Sequence, residues 1–215
     1  GFAQGATILT EGLAEYSALV LMERKYGREA AQKFLRQELD GYLRGRGRER
    51  KKEVPFLYVE NQPYIHYQKG SLVYYALRDY LGEETFHRAV RSYIEKWAFK
   101  GPPYATSRDL LAEIRAVTPD SLQPVLTDLF ETITLFEHKA ESASAVKRPD
   151  GHWDVTLEVK ARKLRADSLG VESEVAEADY VDVGVFGERV PGTKLGKALL
   201  VRKLRSCASV VPRNS

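Results

Sequence analysis

Cysteine is nearly absent from this 215-residue chain: Cys207 stands alone, close to the end. One thiol excludes an intrachain disulfide framework and any cysteine-rich metal site. Methionine is equally scarce, with Met22 the single instance, and the chain enters apolar periodicity almost at once. The expectation is a fragment of a longer protein. No apolar run approaches the ~18 residues that a bilayer-spanning helix needs, and no signal-peptide pattern is visible. Histidine is limited to four separated positions, His66, His87, His138 and His152. They form no helical pair, so the H-E-x-x-H metal-binding pattern is missing. Charge of one sign is not in excess either, 33 Lys and Arg against 30 Asp and Glu giving a formal net charge of +3. That is too small to demand nucleic acid or a membrane surface without a local cluster.

What is present is ordinary globular material, 43% hydrophobic and 29% charged, long enough to bury a core. Helical spacing runs over 6–26 through Ile8, Leu9, Leu13, Tyr16, Leu19 and Val20, with Gly27 suited to a left-handed cap. A second helix over 28–43 is expected to dissolve into Arg44-Gly45-Arg46-Gly47-Arg48, since each interior glycine costs about 1 kcal/mol. Residues 45–65 then read as an extended connection broken by Pro55 and Pro63. Further helices are expected over 67–81, 83–98 and 108–116, the last capped by Ser107, and from Pro119 to about Phe136.

Beyond that point the period changes to two. Trp153, Val155, Leu157, Val159 and Ala161 alternate with Asp154, Thr156, Glu158, Lys160 and Arg162, a strand with one wet face. Pro149-Asp150-Gly151 supplies the turn before it. Other strands are expected near 138–147, 180–186 and 197–204. The fold class is α+β: helices over 1–137, a small antiparallel β module over 138–206, and an irregular tail over 207–215.

Glu11 and Glu15 lie four residues apart and share one helix face. The plain reading is a solvated face with two like charges, slightly destabilising at this spacing. The alternative starts from Glu11's neighbours Ile8, Leu9, Leu13 and Ala14, because a buried carboxylate needs a partner or a metal. Gly12 beside it permits close approach of a backbone or a neighbouring group. The segment Thr10-Glu11-Gly12-Leu13-Ala14-Glu15-Tyr16 resembles the Asn-Glu-Gly-Phe-Ala-x-Tyr segment of the membrane alanyl aminopeptidase family of gluzincin metallopeptidases. Thr10 and Leu13 depart from that pattern, neither at a metal ligand.

A second stretch, Tyr64-Ile65-His66-Tyr67-Gln68-Lys69-Gly70, is similar to the family's Tyr-x-Lys-Gly segment and follows in the family's order. Alone it would read as an ordinary helix start, since 12 tyrosines are present. The resemblance extends through the helices to about residue 136 and more loosely into the β module. Within the family the chain looks most like bacterial peptidase domains attached to transporter-permease-like membrane segments. That implies a soluble domain whose parent is attached to the bacterial inner membrane.

The resemblance implies Zn2+ in the complete parent, with Glu11 as one ligand, peptide substrates, and Tyr67 assisting catalysis. A phenol with a pKa of about 10 stays protonated at neutral pH, and one such donor to an oxyanion is typically worth about 10²–10³ in rate. Glu15 and Lys69 are candidates for supporting the site or lining the substrate cleft. A catalytic zinc of this kind also needs two imidazoles and an open position for water. His66 adjoins Tyr67 but faces elsewhere on a helix. The chain is therefore expected to hold a partial site, bind zinc weakly and be inactive alone, depending on the upstream part of the same polypeptide. The rival reading is a non-catalytic interaction module of a membrane-linked assembly, with the motifs as remnants.

Three other features carry less. Arg44, Arg46, Arg48, Arg50, Lys51 and Lys52 could track phosphates of a nucleic acid. No aromatic interleaves with them and Glu49 and Glu53 oppose their field, so a solvated loop is the better reading. Asp79, Glu83 and Glu84 read as surface charges. Cys207 has no histidine nearby to activate it.

Overall fold

The computed structural model describes residues 3–49, 52–187 and 198–205, the last stretch by its backbone. Two compact units emerge: Gly1–Thr134 with Ala166–Glu172, and Leu135–Arg165 with Ser173–Ser215.

The first unit is helical. A π-helical turn, Ile8–Gly12, feeds α1 (Leu13–Tyr26), and Gly27 at φ +87° separates it from α2 (Arg28–Arg48). After a 3-10 turn at Phe56–Tyr58, a second π turn (Tyr64–Lys69) runs into α3 (Gly70–Leu81). Then come α4 (Glu83–Trp97), α5 (Ser107–Val117), a 3-10 turn (Asp120–Leu122), the short α6 (Gln123–Leu126) and a third π turn (Thr127–Glu131).

Four boundaries differ from the expectation, each for a tertiary reason. Helix α2 does not dissolve at Arg44 but continues to Arg48. Gly45 leaves room for the Tyr64 ring, which a Cβ there would overlap, and Arg46 is ion-paired on the same turn. These contacts override the weak propensity penalty of glycine. The helix expected at Tyr67 starts already at Tyr64, because Pro63 takes helical angles (φ −55°, ψ −40°) and opens the turn instead of breaking it. Thr106, not Ser107, caps α5: its N–H donates to Asp109 Oδ2 at 2.8 Å, while the Ser107 hydroxyl donates to the Leu57 carbonyl at 2.6 Å. The last helical stretch ends at Glu131 rather than Phe136. Thr132 turns extended there, its N–H and its hydroxyl both donating to the Thr127 carbonyl at 3.1 Å.

The core of this unit is aromatic and aliphatic, with Ile8, Phe56, Ile65, Tyr74, Leu77, Phe86, Leu110, Ile114, Leu126 and Phe130 sealed from solvent. Burying each large apolar side chain contributes about 1.5–3 kcal/mol. The ring of Phe56 lies 5.6 Å from that of Tyr74 and 5.3 Å from that of Phe130, distances at which offset and edge geometries are favourable.

The second unit is built of strands. β1 (Ile133–Lys147), β2 (Trp153–Ala166) and β3 (Glu172–Val175) form a sheet in that order, and β4 (Tyr180–Phe186) pairs antiparallel with β5 (Ala198–Arg205). The α+β class stands. The expected single wet face does not: Trp153, Val155 and Val159 on β2 are exposed, like the polar residues between them. The tail over 207–215 lies outside the described residues. Among those described, no helix is long and apolar enough to cross a membrane.

Candidate functional site

The two segments singled out by the sequence become the two π turns that begin α1 and α3. A π turn inserts one residue into the helical repeat and so re-aims the side chains it carries; such turns occur frequently at functional sites. The first carries Glu11 and the second carries Tyr67.

The turns meet at glycine. A Cβ on Gly12 would lie 3.1 Å from the His66 carbonyl oxygen and 3.1 Å from the Tyr74 ring, and a Cβ on Gly70 would lie 3.2 Å from the Gly12 Cα. The close approach that Gly12 permits is therefore used. Tyr74 secures the crossing from α3, its buried hydroxyl donating to the Ile8 carbonyl at 3.0 Å. A π turn displaces backbone acceptors from their usual partners, and this bond satisfies one of them.

At the crossing the Tyr67 phenol faces the Glu11 carboxylate, which, ahead of burial and the Glu15 charge, holds it above its ordinary value. Tyr67 thus stays protonated at neutral pH and acts as a donor. Both Glu11 and Tyr67 are half-buried. His66 is buried beside them, its ring 4.6 Å from the Tyr67 ring, centroid to centroid. Burial lowers its pKa while the Glu11 charge opposes the fall, and its Nδ1 has no hydrogen-bond partner among the described residues. Glu15 lies near Glu38 of α2, whose carboxyl is pushed up by burial and then by the Glu15 charge.

Lys69 points elsewhere, into a buried polar cluster. Its Nζ donates to Glu53 Oε1 at 2.5 Å, and its ammonium sits 5.2 Å from the centre of the Tyr42 ring. The Tyr42 hydroxyl reaches both Glu53 oxygens, at 3.0 and 2.9 Å, and Arg46 Nε donates to Oε2 at 3.0 Å. Arg46 continues to Glu172 at 2.8 Å. This pairing removes Arg46 from the pool of cations that a phosphate backbone would need; Arg50 and Lys51 lie outside the described residues. Glu83 is likewise paired, with Arg24 at 2.7 Å and Arg78 at 3.3 Å.

A zinc ion takes four ligands, three from protein in a catalytic site. Among the described residues no group of three or more His, Cys, Asp or Glu side chains is placed to hold a metal ion. Glu11 and His66 do not complete a zinc site by themselves. His87, in contact with Tyr16 at 2.6 Å, His138, which meets Glu177 at 2.8 Å, and His152 are engaged elsewhere.

Sequence reasoning missed Glu53, Tyr42 and Glu38, because their partners are brought together only by folding. Glu53 stood in the sequence as a charge opposing a basic run. Its one available signal was its place just ahead of the buried pair Phe56 and Leu57.

A family model described as the peptidase family M1 domain matches residues 6–130, more than half of the chain. The match begins just before the first π turn and ends at Phe130, ahead of β1. No curated protein matches.

Proposed function

Because the chain belongs to peptidase family M1, we propose that it carries the Glu11 and Tyr67 portion of a zinc-dependent aminopeptidase site. The observation that supports this most directly is the close approach of Gly12 and Gly70, which brings the turns carrying Glu11 and Tyr67 together with the phenol facing the carboxylate. Glu11 is the protein's carboxylate ligand, and the two imidazoles and the general base come from an upstream H-E-x-x-H in the same polypeptide. Bound zinc, in such sites, lowers the pKa of water to about 7.

The chain's own part is to place a neutral phenol. As the peptide carbonyl is attacked, negative charge gathers on its oxygen, and a protonated Tyr67 donates to it without first losing or gaining a proton. Glu15 adds negative charge beside the phenol, and Lys69 supports the turn from beneath. The parent is attached to the bacterial inner membrane, in keeping with the transporter-permease-like resemblance.

The test compares the 215-residue chain with a version extended by its upstream coding sequence, using zinc content and aminoacyl-anilide hydrolysis. The chain alone should be inactive and bind zinc weakly. The extended protein should show chelator-sensitive cleavage, lose zinc on Glu11→Ala, and lose about 10²–10³ in kcat on Tyr67→Phe with zinc retained. Chelator-sensitive cleavage by the chain alone would sink the assignment. An upstream sequence lacking H-E-x-x-H would favour a non-catalytic interaction module.

A further inference from the structure

Glu53 is a buried and heavily engaged carboxylate. Its side chain is 3% exposed and accepts from Tyr42, Arg46 and Lys69. A buried carboxylate with one cationic partner is an ion pair; one with two cations and a phenol is a junction. The three donors come from different places: Tyr42 and Arg46 from the last turns of α2, Lys69 from the π turn that also carries Tyr67. Glu53 itself sits on the connection between them.

The junction is sealed as well as bonded. The Tyr42 and Tyr64 rings stack 6.1 Å apart, and Gln62 Nε2 donates to the Lys52 carbonyl at 3.1 Å. Burial pushes the Lys69 ammonium below its ordinary value, opposed chiefly by the Glu53 charge, so the cation depends on this partner. Lys69 lies two residues beyond Tyr67, and a π turn has one residue more per hydrogen-bonded loop than an α-helix to place. Fixing Lys69 at one end of so short a turn fixes where the phenol emerges.

We infer that Glu53 is a positioning residue: through Lys69 it locks the Tyr64–Lys69 turn in the register that places the Tyr67 phenol beside Glu11. The inference rests on the proposed role of Tyr67, and it adds to that role the residue that aims it. Glu53 touches neither Glu11 nor substrate in this scheme. It acts entirely through the backbone of the turn.

The test reads Tyr67 directly, without metal or turnover, in the full 215-residue chain. Tyrosine labelled with 13C at Cζ gives one resonance per ring, and Tyr67→Phe assigns the one that matters. Glu11→Gln marks the position of the phenol without its carboxylate partner. In Glu53→Gln the Tyr67 resonance should move at least halfway toward that mark at constant pH. Should Glu53→Gln not fold, the charge-neutral pair Glu53→Gln with Lys69→Met serves instead, since replacing both buried partners by uncharged groups is often tolerated. His87→Ala, which breaks the remote Tyr16 contact, should leave the resonance in place even where stability falls. A resonance that stays put in a folded Glu53 variant, or that moves equally in His87→Ala, overturns the inference.

A kinetic arm uses the active extended protein. Glu53→Gln should lower kcat about 10²-fold with KM unchanged, the size of a misplaced catalytic group. In a Tyr67→Phe background it should cost nothing more. Independent, multiplying losses would mean that Glu53 acts on general structure and not on Tyr67. An extended protein with no peptidase activity would refute the functional reading and leave the resonance test intact, so the two failures are separable.

Discussion

The Tyr67 turn of the helical unit and the first half of β2 in the β module treat polarity in opposite ways. In the first, charged groups go inside: Glu53 is 6% exposed and Lys69 7%, each with a partner of opposite sign. In the second, apolar groups stay outside: Trp153 is 58% exposed and Val155 45%. Exposed apolar surface is common and needs no explanation, whereas a buried charge does. The contrast teaches where to look for function. Of these two stretches only the Tyr67 turn holds side chains against their solvation preference; within the strands Lys163, buried and paired with Asp179 at 3.0 Å, does the same.

The contrast can be broken most forcefully at Glu53. Removing its charge leaves Lys69 and Arg46 without a buried counter-ion, so Glu53→Gln should cost about 3–5 kcal/mol in urea unfolding. A loss under 1 kcal/mol would put the junction on a par with a surface pair. Next is the crossing. A Cβ at position 70 would stand 3.2 Å from the Gly12 Cα and 3.3 Å from the Phe56 ring, so Gly70→Ala should cost about 1–3 kcal/mol by overpacking. The same variant should displace Tyr67, visible as the change in its ring resonance already described.

Smaller again is acid sensitivity. Burial, aided by Arg24 and Arg78 and opposed by Glu83, lowers the His87 pKa below its ordinary 6.5. The folded state then binds fewer protons at this ring than the unfolded chain does. Stability should be full above about pH 6.5 and fall as the pH drops through the depressed folded value, with a shallower fall in His87→Phe. The smallest effect belongs to the strands: Trp153→Ser should stay within about 0.5 kcal/mol of the parent in the same unfolding measurement. A loss above 2 kcal/mol would show that the β module buries this ring, and the comparison would fail.

Much of the helical unit was legible because its signals are local. Gly27 and Gly82 end helices where the periodicity stops, at φ +87° and +83°. Glu11 and Tyr67 announced themselves by the residues around them, and Gly12 by the space it leaves. What escaped the sequence was set by distant partners. The Gly45–Gly47 stretch looked like a helix terminator because glycine's entropy cost is local, while the contacts that overcome it come from Tyr64, Glu53 and Glu172. Lys69 stood as a candidate for supporting the site or lining the cleft; the turn directs it onto Glu53, a partner its sequence neighbours do not announce. The strand alternation was readable on β2, yet alternation reports only that two faces differ. It does not report that either is covered.

The meeting of Gly12 with Gly70 has a consequence for how such a site can be transplanted. Contact there is made main chain to main chain, with the Tyr74 and Phe56 rings packed against it, so the spacing of carboxylate and phenol is set mainly by two backbones. The stretch of polypeptide that separates them along the chain can be rewritten at its exposed hairpin end near Gly27, where no atom lies within 4 Å of the space a Cβ would occupy. A designer copying this arrangement into another helical scaffold would carry over two turns, two bare positions and the Glu53–Lys69 junction. Only the residues around Gly27 would be free in number.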